Sequence, residues 1–436
     1  MALRICATGD LMLLEKLPEA YDLEQALGSV IRDCDVRITN LETVISDWNC
    51  CASTFCGGEW VNSEPDNLDD IAKFGFNLYG CANNHCMDYS FWGLWSTQME
   101  LGKRKLKYAG IGNSLSEASA PAILSVSGKK VAFISVASTT IHTDAARAGD
   151  SRGTIPSRPG LNPLRIKTKY SITPAHMKVL KEIAGNTFIN GERDNARNIG
   201  SLPKQEKGTF NFGGILFEET NSGEGKITAC DERDLVRILK EIDTIKSTVD
   251  YVIVQLHSHQ IKHASYNEPD YFMEEFAHKC IDHGACAVIG GGTHQLKPIE
   301  IYKGRPIFYS LGNFVFQEEK IRKMPSDFWD KYGYDMDLEL GECKKIKTKN
   351  GTIGLVTDKK NYLSIIPVME FDGDSLAELS LIPISLNFEE NIVLKGLPRK
   401  ANKEDFDTIK NTLEKISVMY GTEFISYHEK IGVNVS

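Results

Sequence analysis

Five short apolar segments, each read as a buried strand, run into a side chain able to bind a metal or move a proton, and this placement constrains the chain more than anything else in it. Residues 3–8 run into Gly9-Asp10, 36–39 into Asn40-Leu41-Glu42, and 76–81 into Ala82-Asn83-Asn84-His85. Residues 251–256 run into His257-Ser258-His259, and 287–289 into Gly290-Gly291-Gly292-Thr293-His294. Between them, apolar residues recur at helical spacing over 23–32, 68–74, 91–106, 232–245 and 271–283. A further strand is expected over 131–137, and a strand pair over 299–302 and 306–310 around Lys303-Gly304. Strands alternating with helices predict an α/β (α+β) chain whose mainly parallel or mixed sheet is covered by helices.

In sheets of this kind, ligands collect at the carboxyl ends of the strands. Taken singly, each polar strand end has a structural explanation. Asp10 could cap a turn, Glu42 could stabilise a helix N-terminus, and Asn83-Asn84 suits a left-handed turn. Five together are hard to attribute to chance. Two carboxylates, an amide oxygen and several imidazoles form a donor set for one or two divalent ions, with Mn, Fe or Zn favoured over Mg. A metal pair of this sort lowers the pKa of a water and clamps the attacking and leaving oxygens of a displacement.

Composition narrows the partners. The 436 residues carry 59 acidic and 50 basic side chains, for a formal charge of -9. No broad basic face is available for a phosphate backbone, so no nucleic-acid partner is expected. A bound cation could still admit an anionic substrate. No apolar run is long enough to span a bilayer, and the first ten residues turn polar too early for a signal peptide, so a cytoplasmic protein without membrane attachment is expected. The 11 cysteines read as reduced core thiols, and Cys50, Cys51 and Cys56 lack zinc-ribbon spacing.

Two stretches break the rhythm. Residues 138–228, rich in Gly, Asn, Arg and Ser, read as long surface loops around one helix at 174–183. Within them, Arg158 and Arg165, with Arg152 nearby, could form a guanidinium clamp for a substrate carboxylate or phosphate, or simply a solvated basic face. Residues 318–360 are charged, followed by a hairpin over Asp372-Gly373-Asp374 and a terminal helix at 404–418. The expected organisation is therefore a main domain over 1–317, with 318–436 as an accessory region.

The stretches Gly9-Asp10, Asn40-Leu41-Glu42, Ala82-Asn83-Asn84-His85 with Asp88-Tyr89, Gly110-Ile111-Gly112-Asn113, Glu117-Ala118, Arg158 to Arg165, Leu256-His257-Ser258-His259 and Glu300 to Phe316 occur in order over about residues 3–317. In these the chain resembles the CapA family, poly-γ-glutamate capsule synthesis proteins with a metallophosphoesterase-like (calcineurin-like) fold. The resemblance implies a four-layer αββα sandwich. It also implies that Asp10 and His294 hold a first metal, that Glu42 bridges, and that Asn84 and His257 hold a second. His85 would then give a proton to the leaving group or stabilise developing negative charge, and Asn313 would fix the strand end behind the site.

Two departures stand out. The family's Gly-His-x-x-His is here Gly290-Gly291-Gly292-Thr293-His294, so position 291 offers no ligand. Either His259 compensates or the site holds one metal. Ser90-Phe91-Trp92-Gly93, where a glycine usually follows Asp88-Tyr89, adds bulk expected at the pocket mouth, and the insertion 47–60 is expected there too. The functional expectation is a metal-dependent hydrolase that uses a metal-activated water on a phosphoester or γ-glutamyl-type amide of a small-molecule or peptide substrate. The alternatives are a metal-dependent bond-forming enzyme of poly-γ-glutamate type, for which no phosphate-loop motif is present, and a non-catalytic binding domain with a degenerate site.

Overall fold

The protein is described by a computed structural model over residues 2–139 and 144–435. Two sheets stack face to face. The first runs, in spatial order, through Phe424–Tyr427, Lys430–Val433, Ser375–Ser385, Leu363–Asp372, Leu3–Met12, Val36–Leu41, Leu78–Gly80 and Tyr108–Ala109. Asn313–Phe316 also pairs with Leu3–Met12, at its far end. The second sheet runs through Ile299–Tyr302, Arg305–Phe308, Ala287–Gly291, Tyr251–His257, Lys129–Ala137 and Ala122–Val126.

Side-chain alternation along the strands builds the layers. Leu3, Ile5 and Ala7 meet Val131, Phe133, Ile253 and Ile289 between the sheets. Cys6 and Leu11 point the other way, onto a helical layer carrying Leu27, Ile71, Leu94 and Leu101. On the far side, Ile134, Val136, Val252 and Val254 pack on Ile238, Ile242, Phe272 and Phe276 of the helices Glu232–Ile245 and Tyr271–His283. These are the four layers of an αββα sandwich, the fold that the sequence resemblance implies. The central strands of both sheets are parallel, so their carboxyl ends share one edge.

The middle of the chain is more regular than its composition suggests. Strands Ile166–Ile172, Thr209–Phe212, Ile215–Glu219 and Gly225–Cys230 form a four-stranded sheet, accompanied by helices Pro174–Thr187 and Gly191–Asn198. The loops expected around a single helix are therefore not what forms over 166–230. These strands are half-exposed and carry Lys, Thr and Glu, so they lack the apolar run that signals a buried strand.

The C-terminal hairpin Leu363–Asp372 and Ser375–Ser385 extends the first sheet antiparallel to Leu3–Met12, with Leu3 opposite Phe371. The helix Lys403–Ser417 contributes Ile409 and Leu413 to the core between the sheets. In the charged stretch, helices Asp327–Tyr332 and Leu340–Lys347 bury Phe328 and Cys343 against Cys56, Trp60 and Tyr89, so insertion 47–60 and residues 324–343 share a small core of their own. All 11 cysteines are free thiols, buried except Cys50 and Cys51. No helix among the described residues is long and apolar enough to cross a membrane.

Candidate metal centre

The shared strand edge gathers Asp10, Glu42, Asn84, His257, His259 and His294 into one cluster. Asp10 lies where the first strand is kinked, with register irregularities on both sides of it. Gly9 permits the kink, because a Cβ there would sit 1.9 Å from the Gly312 carbonyl oxygen. Asp10 Oδ1 accepts from Asn40 Nδ2 at 2.8 Å and Oδ2 from the Gly292 amide at 2.9 Å. His257 and His294 each place Nδ1 near this carboxylate, at 3.6 and 3.7 Å. His294 has a left-handed backbone (φ 60), and Asn313 Oδ1 meets its Nδ1 at 2.8 Å, so Nε2 is the nitrogen left for a ligand. Asn313 is fixed in turn by donating to the Asn361 carbonyl at 2.9 Å.

Two groups have the surroundings that a bound cation would suit. Glu42 is fully buried, and among the described residues neither of its oxygens receives a hydrogen bond. His257 Nε2 faces Asn84 Oδ1 at 2.6 Å, His259 Nε2 at 3.2 Å and Glu42 Oε1 at 3.3 Å. One ring nitrogen carries at most one proton and cannot satisfy three such neighbours, whereas a divalent ion among them satisfies all four atoms. The potential ligand atoms of Asp10, Glu42 and His257, and those of Glu42, His259 and His294, lie within 4.8 Å of one another in each trio. Glu42 belongs to both trios, and the trios group Asp10 with His257 and His294 with His259, whereas the resemblance implies that Asp10 and His294 share a metal.

The electrostatics agree. Burial, then the charges of Asp10 and Asp88, push the Glu42 carboxyl well above the usual range. Burial also opposes ionisation of Asp10, but His257, His294 and the Gly292 amide outweigh it and hold that carboxyl low. Burial lowers His294 and keeps its imidazole neutral, the form that ligates a metal.

His85 stands beside the cluster as half of a dyad. Its Nδ1 meets Asp88 Oδ2 at 2.7 Å, which leaves Nε2 toward the cleft. Asp88 is held by the amides of Gly57 at 2.9 Å and Val61 at 2.8 Å. The Gly57 carbonyl accepts from Asn84 Nδ2 at 2.6 Å, which turns Oδ1 of that amide toward His257. A Cβ on Gly57 would lie 2.6 Å from the His85 ring. Nothing in the sequence of insertion 47–60 announces this contact; only a glycine pair, Gly57-Gly58, hints at a close backbone approach.

Above the cluster opens a cleft of about 300 Å³, lined by His85, His259 and His294 on one side and by Glu59, Glu318, Lys331, Tyr332 and Lys347 on the other. The far wall comes from insertion 47–60 and the charged stretch 318–360, and the latter is given no role at the site by the sequence reading. Arg158 and Arg165 do not reach the cleft. Arg165 is held by Asp234 through Nε at 2.7 Å and Nη2 at 3.0 Å, which occupies the guanidinium edge an anion would need. Arg158 Nε donates to the Arg147 carbonyl at 3.1 Å. Phe91 and Trp92 are likewise away from the mouth, exposed on the helix Ser90–Lys103, and Trp92 lines a separate shallow groove with Trp95 and Asn49. Glycines 57 and 58 and Glu59 of the insertion do line the cleft.

Residues 4–318 match the family described as Bacterial capsule synthesis protein PGA_cap. An uncharacterized protein of Sinorhizobium fredii, y4sH, is 32% identical over 98% of this chain and 92% of its own length. The PGA biosynthesis protein CapA of Bacillus subtilis is 25% identical over 59% of this chain and 47% of its own length. A probable polyglutamine synthesis accessory protein of Mycobacterium tuberculosis is 22% identical over 90% of this chain and 75% of its own.

Proposed function

The chain belongs to the bacterial capsule synthesis protein family PGA_cap, and on that premise we propose that it is a metal-dependent hydrolase that cleaves a phosphoester or a γ-glutamyl-type amide. The observation that carries this reading is Glu42, a fully buried carboxylate with no hydrogen bond to either oxygen and three imidazoles around it. Asp10, Glu42, His257 and His294, with Asn84 and His259, would hold one or two divalent ions, and the mixed carboxylate–imidazole set suits Mn, Fe or Zn. Such an ion supplies Lewis-acid polarisation of the scissile group and a water of lowered pKa.

The chain's own residues do the rest. Asn313 and the Gly292 amide fix His294 and Asp10 before any ligand arrives, so the donor set is preorganised. Gly57 orients the Asn84 amide. His85, with Nδ1 on Asp88, presents Nε2 to the cleft, where it gives a proton to the departing oxygen or nitrogen. Insertion 47–60 and the stretch 318–360 form the far wall of the cleft in which that transfer takes place.

Protein purified without chelator should contain metal and hydrolyse bis(para-nitrophenyl) phosphate or γ-glutamyl-para-nitroanilide. Asp10→Ala and His294→Ala should lose both metal and turnover. Full metal content and activity in these variants would overturn the reading. A second reading, a polymer-synthesis accessory protein that uses the same centre to bind rather than cleave, is favoured by the names of the Bacillus and Mycobacterium relatives. Stoichiometric metal with no turnover of either probe would support it.

A further inference from the structure

Four charged side chains stand on the cleft wall facing the histidines: Glu59, Glu318, Lys331 and Lys347. Three of them serve one another. Lys347 Nζ is in contact with Glu59 and lies 3.6 Å from Glu318. Lys331 is different: among the described residues it forms no ion pair. Its ammonium donates to the Gly58 carbonyl and stands 5.9 Å from the Trp60 ring centroid and 5.5 Å from that of Tyr332. The Gly58 carbonyl, the Cys56 sulfur at 3.8 Å and two ring faces hold the ammonium in place without an ion pair, and one of its three N–H donors stays available.

The anchor of Lys331 locates it in the chemistry. Gly58 follows Gly57, the residue whose carbonyl orients Asn84 and whose Cα abuts the His85 ring. We propose that Lys331 recognises a carboxylate or phosphate on the portion of the substrate that departs, so that the substrate class is one whose leaving group is itself anionic. This rests on the hydrolytic reading, in which His85 protonates that leaving group. The assignment to the leaving side follows from the shared loop: the backbone that holds Lys331 is continuous with the backbone that fixes His85. Lys331 lies in the helix Asp327–Tyr332, beyond residues 4–318 that match the family.

The test uses the metal-loaded full chain and two aryl phosphate diesters that differ only in the leaving phenol, para-hydroxybenzoate or its uncharged carboxamide. Wild type should show a KM about tenfold lower for the carboxylate probe, the scale of one charge-assisted hydrogen bond. Lys331→Ala should shrink that preference below twofold, and Lys331→Arg should restore most of it. Equilibrium dialysis with free para-hydroxybenzoate and para-hydroxybenzamide gives a readout independent of turnover. Lys331-dependent binding of the benzoate alone establishes the anion site at Lys331; if neither diester is cleaved, the hydrolytic reading falls and the assignment to the leaving group falls with it. Equal KM values for the two probes, equal binding of the two phenols, or a preference that survives in Lys331→Ala overturns it.

Discussion

Gly291 faces Asp10 so closely that a Cβ at position 291 would lie 2.6 Å from Asp10 Oδ1. Any side chain at position 291 would therefore displace the Asp10 carboxylate from where it now sits. Gly290 and Gly292 are equally confined, with a Cβ on each falling 2.2 Å from the Tyr309 carbonyl oxygen and 2.6 Å from that of Ser258. His259 Nε2, at 3.2 Å from His257 Nε2, stands on the same side as the second trio and supplies an imidazole that position 291 does not. Gly291→Ala should push the Asp10 carboxylate off its Asn40 and Gly292 donors and weaken metal binding by about 10- to 100-fold, measured by titration with a competing chelator. His259→Ala should remove metal from the second trio and lower the stoichiometry read by elemental analysis.

Asp88→Asn separates orientation from charge. Asp88 accepts from three donors, the Gly57 and Val61 amides and His85 Nδ1. An amide offers one oxygen and one NH₂, so one of these donors must then face a donor. The expected result is a fall in kcat of about 100-fold with metal content unchanged, because none of the atoms of Asp88 belongs to either trio. Loss of metal in this variant would mean that Asp88 supports the centre itself and not His85.

The sheets and their strand ends were legible because each core strand is a short apolar run that stops at a polar residue, and burial on both faces leaves no ambiguity of period. The sheet over 166–230 was not, since strands such as Ile166–Ile172 are half-exposed and show no apolar face. The cleft wall was also invisible. Lys331 and Lys347 read as ordinary charges on a polar stretch, and only the packing of Phe328 and Cys343 against Cys56 and Trp60 brings them over the histidines. Arg165 failed in the opposite direction. Its motif was visible, but its partner Asp234 lies 69 positions away on a helix, and sequence spacing cannot reveal such a pair.

Arg165 consequently predicts a stability phenotype without a catalytic one. Asp234 is buried and accepts from Arg165 through Nε, Nη2 and the backbone amide. Arg165→Ala leaves that carboxylate with the amide and a 3.8 Å neighbour, Arg237. The expected loss is about 2 kcal/mol, seen as a lower denaturation midpoint, while kcat/KM on any substrate stays within twofold of wild type. A selective rise in KM for anionic substrates would instead restore Arg165 as part of the binding surface.

Glu42 gives the sharpest test of whether the cluster is built for a cation, because the same substitution should act with opposite sign in the two metal states. The folded protein raises this carboxyl well above its ordinary value, by burial first and then by Asp10 and Asp88. A group that holds its proton more tightly folded than unfolded weakens the fold as pH rises from the ordinary carboxylate pKa, about 4.3, toward the folded value. Metal-free wild type should therefore lose stability over that interval, and Glu42→Gln, which carries no charge to bury, should not. The two should melt alike at pH about 4 and diverge as pH rises, with Glu42→Gln more stable by on the order of 2 kcal/mol near neutrality. Added metal should reverse the order. Wild type should gain about 2.7 kcal/mol at a free metal concentration 100 times its Kd, and Glu42→Gln much less, having lost the carboxylate shared by both trios. Melting curves at matched pH, with and without metal, read both signs; a wild type more stable than Glu42→Gln in the metal-free state would mean that the buried carboxylate has a partner other than a cation.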